Sequence, residues 1–66
     1  MIRLTVNGET RETESWELET LFAEMGLPSP LLLVEYNGRA LHRSEWPSVK
    51  LAEGDRLELM RVAAGG

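Results

Sequence analysis

Three features of this 66-residue sequence predict an α+β fold, with a mixed sheet of about four to five strands and one main helix packed on one face. Both ends, "MIRLTVNG" and "RLELMRV", alternate apolar and polar residues, the period of a half-buried strand. Between them a single convincing stretch repeats its apolar residues with a helical period. Asn-Gly occurs at Asn7-Gly8 and again at Asn37-Gly38, each after a strand-like run, and that dipeptide is the strongest short-range hairpin signal.

The elements follow in order. Ile2, Leu4 and Val6 point one way and Arg3 and Thr5 the other. After the Asn7-Gly8 turn a second strand is expected over Glu9 to Glu14. It is almost wholly polar, so it belongs at a charge-blunted sheet edge. In "SWELETLFAEMGLPSP", Leu18, Leu21, Phe22 and Met25 fall at i, i+3, i+4 and i+7, one stripe of a helix. Ser15 is the expected N-cap, Glu17 and Glu19 sit near the positive end of the helix dipole, and Gly26 suits the C′ position. Pro28 and Pro30 forbid continuation.

"LLLVEYNG" is the third strand, with Leu32, Val34 and Tyr36 toward the helix and Leu31, Leu33 and Glu35 away from it. Leu41 starts a short fourth strand. "HRSEWP" reads as a turn or single helical turn anchored by Trp46 and stopped by Pro47. Val49 and Leu51 add a short apolar pair, and Gly54-Asp55 marks a further turn. The last strand turns Leu57 and Leu59 inward and Met60 and Val62 outward. An opening hairpin, one helix and a closing strand that fits parallel beside the first describe the β-grasp, or ubiquitin-like, architecture. Residues 1–62 form the β-grasp domain, and residues 63–66 are expected to be a flexible tail ending in Gly-Gly.

Composition narrows the function classes. A chain this short buries only about 60% of the surface it exposes unfolded, which leaves little room for an enclosed catalytic pocket. The net charge of −4 argues against a nucleic-acid partner. Glu9, Glu12, Glu14, Glu17, Glu19 and Glu24 crowd the first half. That run is a solvated face that keeps the domain in solution, with steering toward a basic partner as the second reading. There is no cysteine, which excludes disulfides and thiolate metal sites. His42 stands alone without metal-ligand spacing and is read as a surface residue, so no metal is expected. No apolar stretch is long enough to cross a bilayer or to act as a secretory signal, so a cytoplasmic protein without a membrane partner is expected.

Four quoted stretches carry a resemblance: "LTVNGE", "EYNGRALHRSEW", "LAEGDRLEL" and the final "GG". In that order they resemble the sulfur-carrier proteins of thiamine biosynthesis (ThiS-like proteins), from Leu4 to Gly66. The resemblance implies a protein that is not an enzyme. An E1-like adenylyltransferase would use ATP to adenylate the Gly66 carboxylate. A cysteine-persulfide donor would then convert it to a thiocarboxylate, and thiazole synthase would take the sulfur for the thiazole ring of thiamine. The chain itself would bind no cofactor and would be a monomer on its own.

The residue types at the end suit such chemistry. A carboxylate is a poor acyl donor, and joining it to AMP creates a good leaving group. Gly65 and Gly66 lack Cβ atoms, so they fit a narrow channel, and attack at the Gly66 carbonyl meets no side chain. Ala63 and Ala64 add little bulk. Four extended residues reach about 14 Å. Without cysteine, a carried sulfur can sit only on the C-terminal acyl group.

Leu31, Leu33, Met60 and Val62 are expected to form an apolar partner-binding patch on the face without the helix, with Arg61 beside it either pairing with an acidic partner surface or solvated. Trp46 is read as core, and Trp16 as a staple on Leu21 at the helix start. Three other readings share the fold: the small subunit of molybdopterin synthase, a ubiquitin-like modifier conjugated through Gly66, and a plain binding domain with an inert tail.

Overall fold

The computed structural model describes residues 1–28, 30 and 32–62. Its elements are β1 (Ile2–Val6), β2 (Glu9–Thr13), α1 (Leu18–Glu24), β3 (Leu32–Tyr36), β4 (Arg39–Leu41), a 3-10 helix (Arg43–Ser48) and β5 (Arg56–Arg61). The five strands form one sheet in the order β2-β1-β5-β3-β4. β1 and β5 are parallel, and the other neighbours are antiparallel. The architecture is the β-grasp that the sequence predicts, with polar β2 at the edge and the closing strand in the centre.

One face of the sheet carries the core. Leu4, Val6, Leu32, Val34 and Leu57 point toward Leu18, Leu21 and Phe22 of α1, and all are buried. Leu41, Trp46, Val49 and Leu51 complete the layer. Trp46 meets Phe22 edge to face, with ring centroids 5.1 Å apart, a favoured aromatic geometry. α1 has only seven residues, too few to persist alone in water, so its buried stripe and its end contacts hold it. At its C-terminus Gly26 N–H donates to Ala23 O and Leu27 N–H to Phe22 O, the paired bonds of a Schellman motif.

Ser15 is not the N-cap. Glu17 occupies that position without a side-chain cap bond, because the chain stays extended for two residues longer than the capping signal implies. Ser15 works at the other end of the helix. Its hydroxyl and that of Thr13 both donate to the Glu24 carboxylate, at 3.1 and 3.0 Å, and Arg11 lies 3.9 Å from the same group. The loop before the helix is thus tied to its last turn. Trp16 is not buried as a staple: its side chain is 64% exposed, with Lys50 Nζ 5.2 Å from the ring centroid. Pro47 does not stop the helical turn. It sits inside the 3-10 helix, which runs on to Ser48, since the short helix asks for few N–H donors and proline supplies a suitable φ. At the start of that helix His42 N–H donates to Glu45 Oε1, and Glu45 N–H to His42 O, both at 2.8 Å.

Asp55 is the buried acid of the structure's described part that ties three segments together. Its carboxylate accepts from Tyr36 Oη at 2.8 Å, Asn37 Nδ2 at 3.1 Å and Ala52 N–H at 2.8 Å. Its carbonyl accepts from Thr5 N–H at 3.0 Å. The turn before β5 is therefore locked both to β1 and to the β3–β4 hairpin. Asp55→Ala leaves three donors without their partner and is expected to destabilise the domain by about 1–3 kcal/mol in urea unfolding. Burial first, and then the hydrogen bond to Asp55 and its charge, raise the Tyr36 phenol above the ordinary tyrosine value. Since the folded value exceeds the unfolded one, Tyr36 contributes stability below about pH 10 that is lost as pH climbs through the folded value. Thermal melts of Tyr36→Phe are expected to fall less steeply above about pH 10 than those of the wild type.

Candidate functional site

β5 leads to the chain's final residues, and the sheet grips it from both sides. On one side β3 pairs with it from Tyr36↔Leu57 to Leu32↔Arg61. On the other side β1 supplies only two register pairs, Thr5↔Arg56 and Val6↔Leu57. The turn residue Asn7 extends that contact: its N–H donates to Leu57 O at 2.9 Å, and its side-chain Oδ1 accepts from Leu59 N–H at 2.7 Å. Asn37 of the second turn does the same at the other edge, with its N–H on Arg56 O and its Oδ1 accepting from Arg56 N–H, both at 2.8 Å. Asn7 and Asn37 have φ of 51° and 50°, and the glycines after them also have positive φ. Asparagine tolerates that left-handed backbone and brings a carbonyl, so one residue type makes both the turn and the grip.

The face without the helix is open. Leu33 and Met60 lie directly opposite each other there, 56% and 65% exposed. With Glu35, Ala40 and Glu58 they line a shallow groove of about 300 Å³. Val62 is also exposed, just after β5. The pairing brings Leu33 and Met60 together as the alternation predicts. It sets Arg61 opposite buried Leu32, so Arg61 belongs to the helix side of the sheet's end, beside the patch but not on its face. Leu31, Ala63, Ala64, Gly65 and Gly66, and with them the expected tail, lie outside the described residues.

Two parts of the site were beyond the reading of residues one at a time. Glu35 and Glu58 face each other across β3 and β5, which only the strand register reveals. The grip of Asn7 and Asn37 on β5 depends on side-chain bonds between residues 52 and 19 positions apart, and the Asn-Gly signal reports only the turns. Among the described residues no group of three or more His, Cys, Asp or Glu side chains could hold a metal ion, and no helix is long and apolar enough to cross a membrane. A second hollow of about 220 Å³, lined by Met1, Ile2, Thr13, Trp16 and Leu51 among others, lies at the other end of the sheet from the exit of β5.

Comparison with known proteins places the chain among relatives of similar sequence and shape through a family model, a curated relative and a solved structure. The ThiS family model matches residues 4–66. A relative from Paramagnetospirillum magneticum, named thiazole synthase, is 33% identical over 66 residues, covering 98% of this chain. The chain spans about one fifth, 20%, of that relative's length. The crystal structure of the thiamine biosynthesis protein (ThiS) from Geobacter metallireducens superposes with a TM-score of 0.82 at 25% identity, over 98% of this chain and 100% of that one.

Proposed function

The chain belongs to the ThiS family, and we propose that it is a sulfur carrier whose Gly66 carboxylate is activated and thiolated for thiamine biosynthesis. The observation that carries this reading is the extent of the family match, which runs through the closing Gly65-Gly66 pair. The matched crystal structure is that of a thiamine biosynthesis protein, and the matched relative is named thiazole synthase, which supports thiazole formation as the destination of the sulfur.

The chemistry runs in three displacements. A carboxylate oxygen of Gly66 attacks the α-phosphorus of ATP within an E1-like adenylyltransferase, and pyrophosphate leaves. A persulfide sulfur of a donor protein then attacks the Gly66 carbonyl, and AMP leaves. A thiolate then attacks the donor-side sulfur of the resulting acyl disulfide, forming a disulfide with the donor and releasing the thiocarboxylate, which thiazole synthase consumes. The active sites belong to the partners, and the ATP is the partner's substrate. This chain supplies a body that docks and a tail, residues 63–66, that reaches about 14 Å when extended. The open face around Leu33, Met60 and Val62 is the surface on which partners settle, since exposed apolar patches beside a working end mark protein contacts.

Intact-mass analysis of protein from cells starved of thiamine tests this. The expected product has one terminal oxygen replaced by sulfur. Conjugates on lysines would support a protein modifier instead, and rescue of molybdenum-enzyme activity without thiamine-independent growth would support a molybdopterin synthase subunit. Deleting Gly66 is expected to leave the melting curve unchanged and to abolish adenylation. A folded truncation that still accepts AMP and passes on sulfur contradicts the assignment.

A further inference from the structure

The outer face of the sheet matches one pair of opposed charges and leaves another unmatched. Arg3 and Glu12 are register partners between β1 and β2, and they form an ion pair at 3.3 Å. Glu35 and Glu58 are register partners between β3 and β5, and both are exposed acids. Opposed residues have Cβ atoms about 5 Å apart, and like charges placed so destabilise a sheet. Neither carboxylate has an ion-pair partner within 4.0 Å among the described residues. Arg56 lies on the same face, but its Nη2 is 3.8 Å from where a Gly38 Cβ would stand, and it bridges to neither acid. The acids line the apolar groove alongside Leu33 and Met60.

We propose that Glu35 and Glu58 together receive an arginine from the protein partner that works on the tail, with Leu33 and Met60 packing on the apolar side chains around that arginine. A guanidinium suits the place better than an ammonium. It is planar, weakly hydrated and rich in donors, so it can bridge two carboxylates and lie against apolar surface. A second copy of this chain does not suit it. Stacking this face on itself about a twofold axis sets the same carboxylates against each other, on a chain of net charge −4. The distance to the working end also fits. From Met60 to Gly66 the chain spans about 20 Å when extended, so a partner that holds the groove has the terminal carbonyl within reach of a separate active site. The choice of partner rests on the carrier reading above; the recognition of a cation does not.

The test is calorimetric titration of the full chain with the adenylyltransferase of the same organism, without ATP, at low and high salt. Wild type is expected to bind more weakly as salt rises. The double variant E35Q/E58Q is expected to bind about tenfold more weakly, with little salt dependence, and to melt roughly 2–5 °C higher than wild type because the opposed charges are gone. Equal or tighter binding by the variant overturns the proposal, as does a variant that melts lower, which assigns the acids to the fold. Absence of wild-type binding, or self-association of the chain in sedimentation, also overturns it. Adding ATP afterwards separates the two ideas: adenylation of both proteins alike keeps the carrier reading and removes the acid pair's role, whereas no adenylation of either removes the carrier reading.

Discussion

The hydrogen bonds from Asn7 and Asn37 to β5 set where the chain leaves the sheet. β5 is the central strand, yet its parallel neighbour reaches only as far as Leu57. Past that point the backbone of β1 turns away, and one edge of β5 would face water. Asn7 fills the gap with a side-chain carbonyl on Leu59 N–H. Asn37 holds the entry of the strand through Arg56, and Asp55 braces Asn37 in turn. Glycine at either asparagine would make the turn but supply no carbonyl. The course of β5 as far as Leu59 therefore follows from two turn residues distant from it in sequence.

The same economy explains the division of the two sheet faces. A chain of this size has apolar residues enough to cover one face, and a single short helix with Trp46 and its neighbours does so. The second face stays open, and it carries exposed Leu33 and Met60 on the strand pair that leads to the tail. For a carrier this arrangement is apt. On the proposed carrier reading the body needs no pocket for a substrate, because its own last residue is the substrate. It needs a rigid strand to aim that residue and a surface by which partners hold the strand.

Much of this was legible in the sequence, for identifiable reasons. Strand and helix positions followed from periodicity, and the two hairpins from Asn-Gly, because those signals are local. Trp46 in the core and Leu33 with Met60 on the open face followed from size and alternation. The misreadings were at element ends. Ser15 looked like a cap, but its hydroxyl is taken by Glu24 from across the helix, a contact no local pattern contains. Spacing predicts Trp16 against Leu21, yet its ring is left to solvent and Lys50. The α-helix rule predicts a stop at Pro47, but the segment is a 3-10 helix, which accepts proline and runs on to Ser48. The opposition of Glu35 and Glu58 and the burial of Asp55 needed the strand register and the tertiary packing.

The body grips β5 through Asn7 beyond the reach of β1. Native-state hydrogen exchange at the Leu59 amide, in wild type and in Asn7→Gly, tests it most directly. Slow exchange is expected in wild type, close to that of the best-protected core amides. In Asn7→Gly, whose turn is preserved, the Leu59 amide should exchange far faster while the amides that join β3 to β5 keep their protection. A Leu59 amide that exchanges freely in wild type, or one indifferent to the loss of the asparagine side chain, would mean that Asn7 does not hold β5.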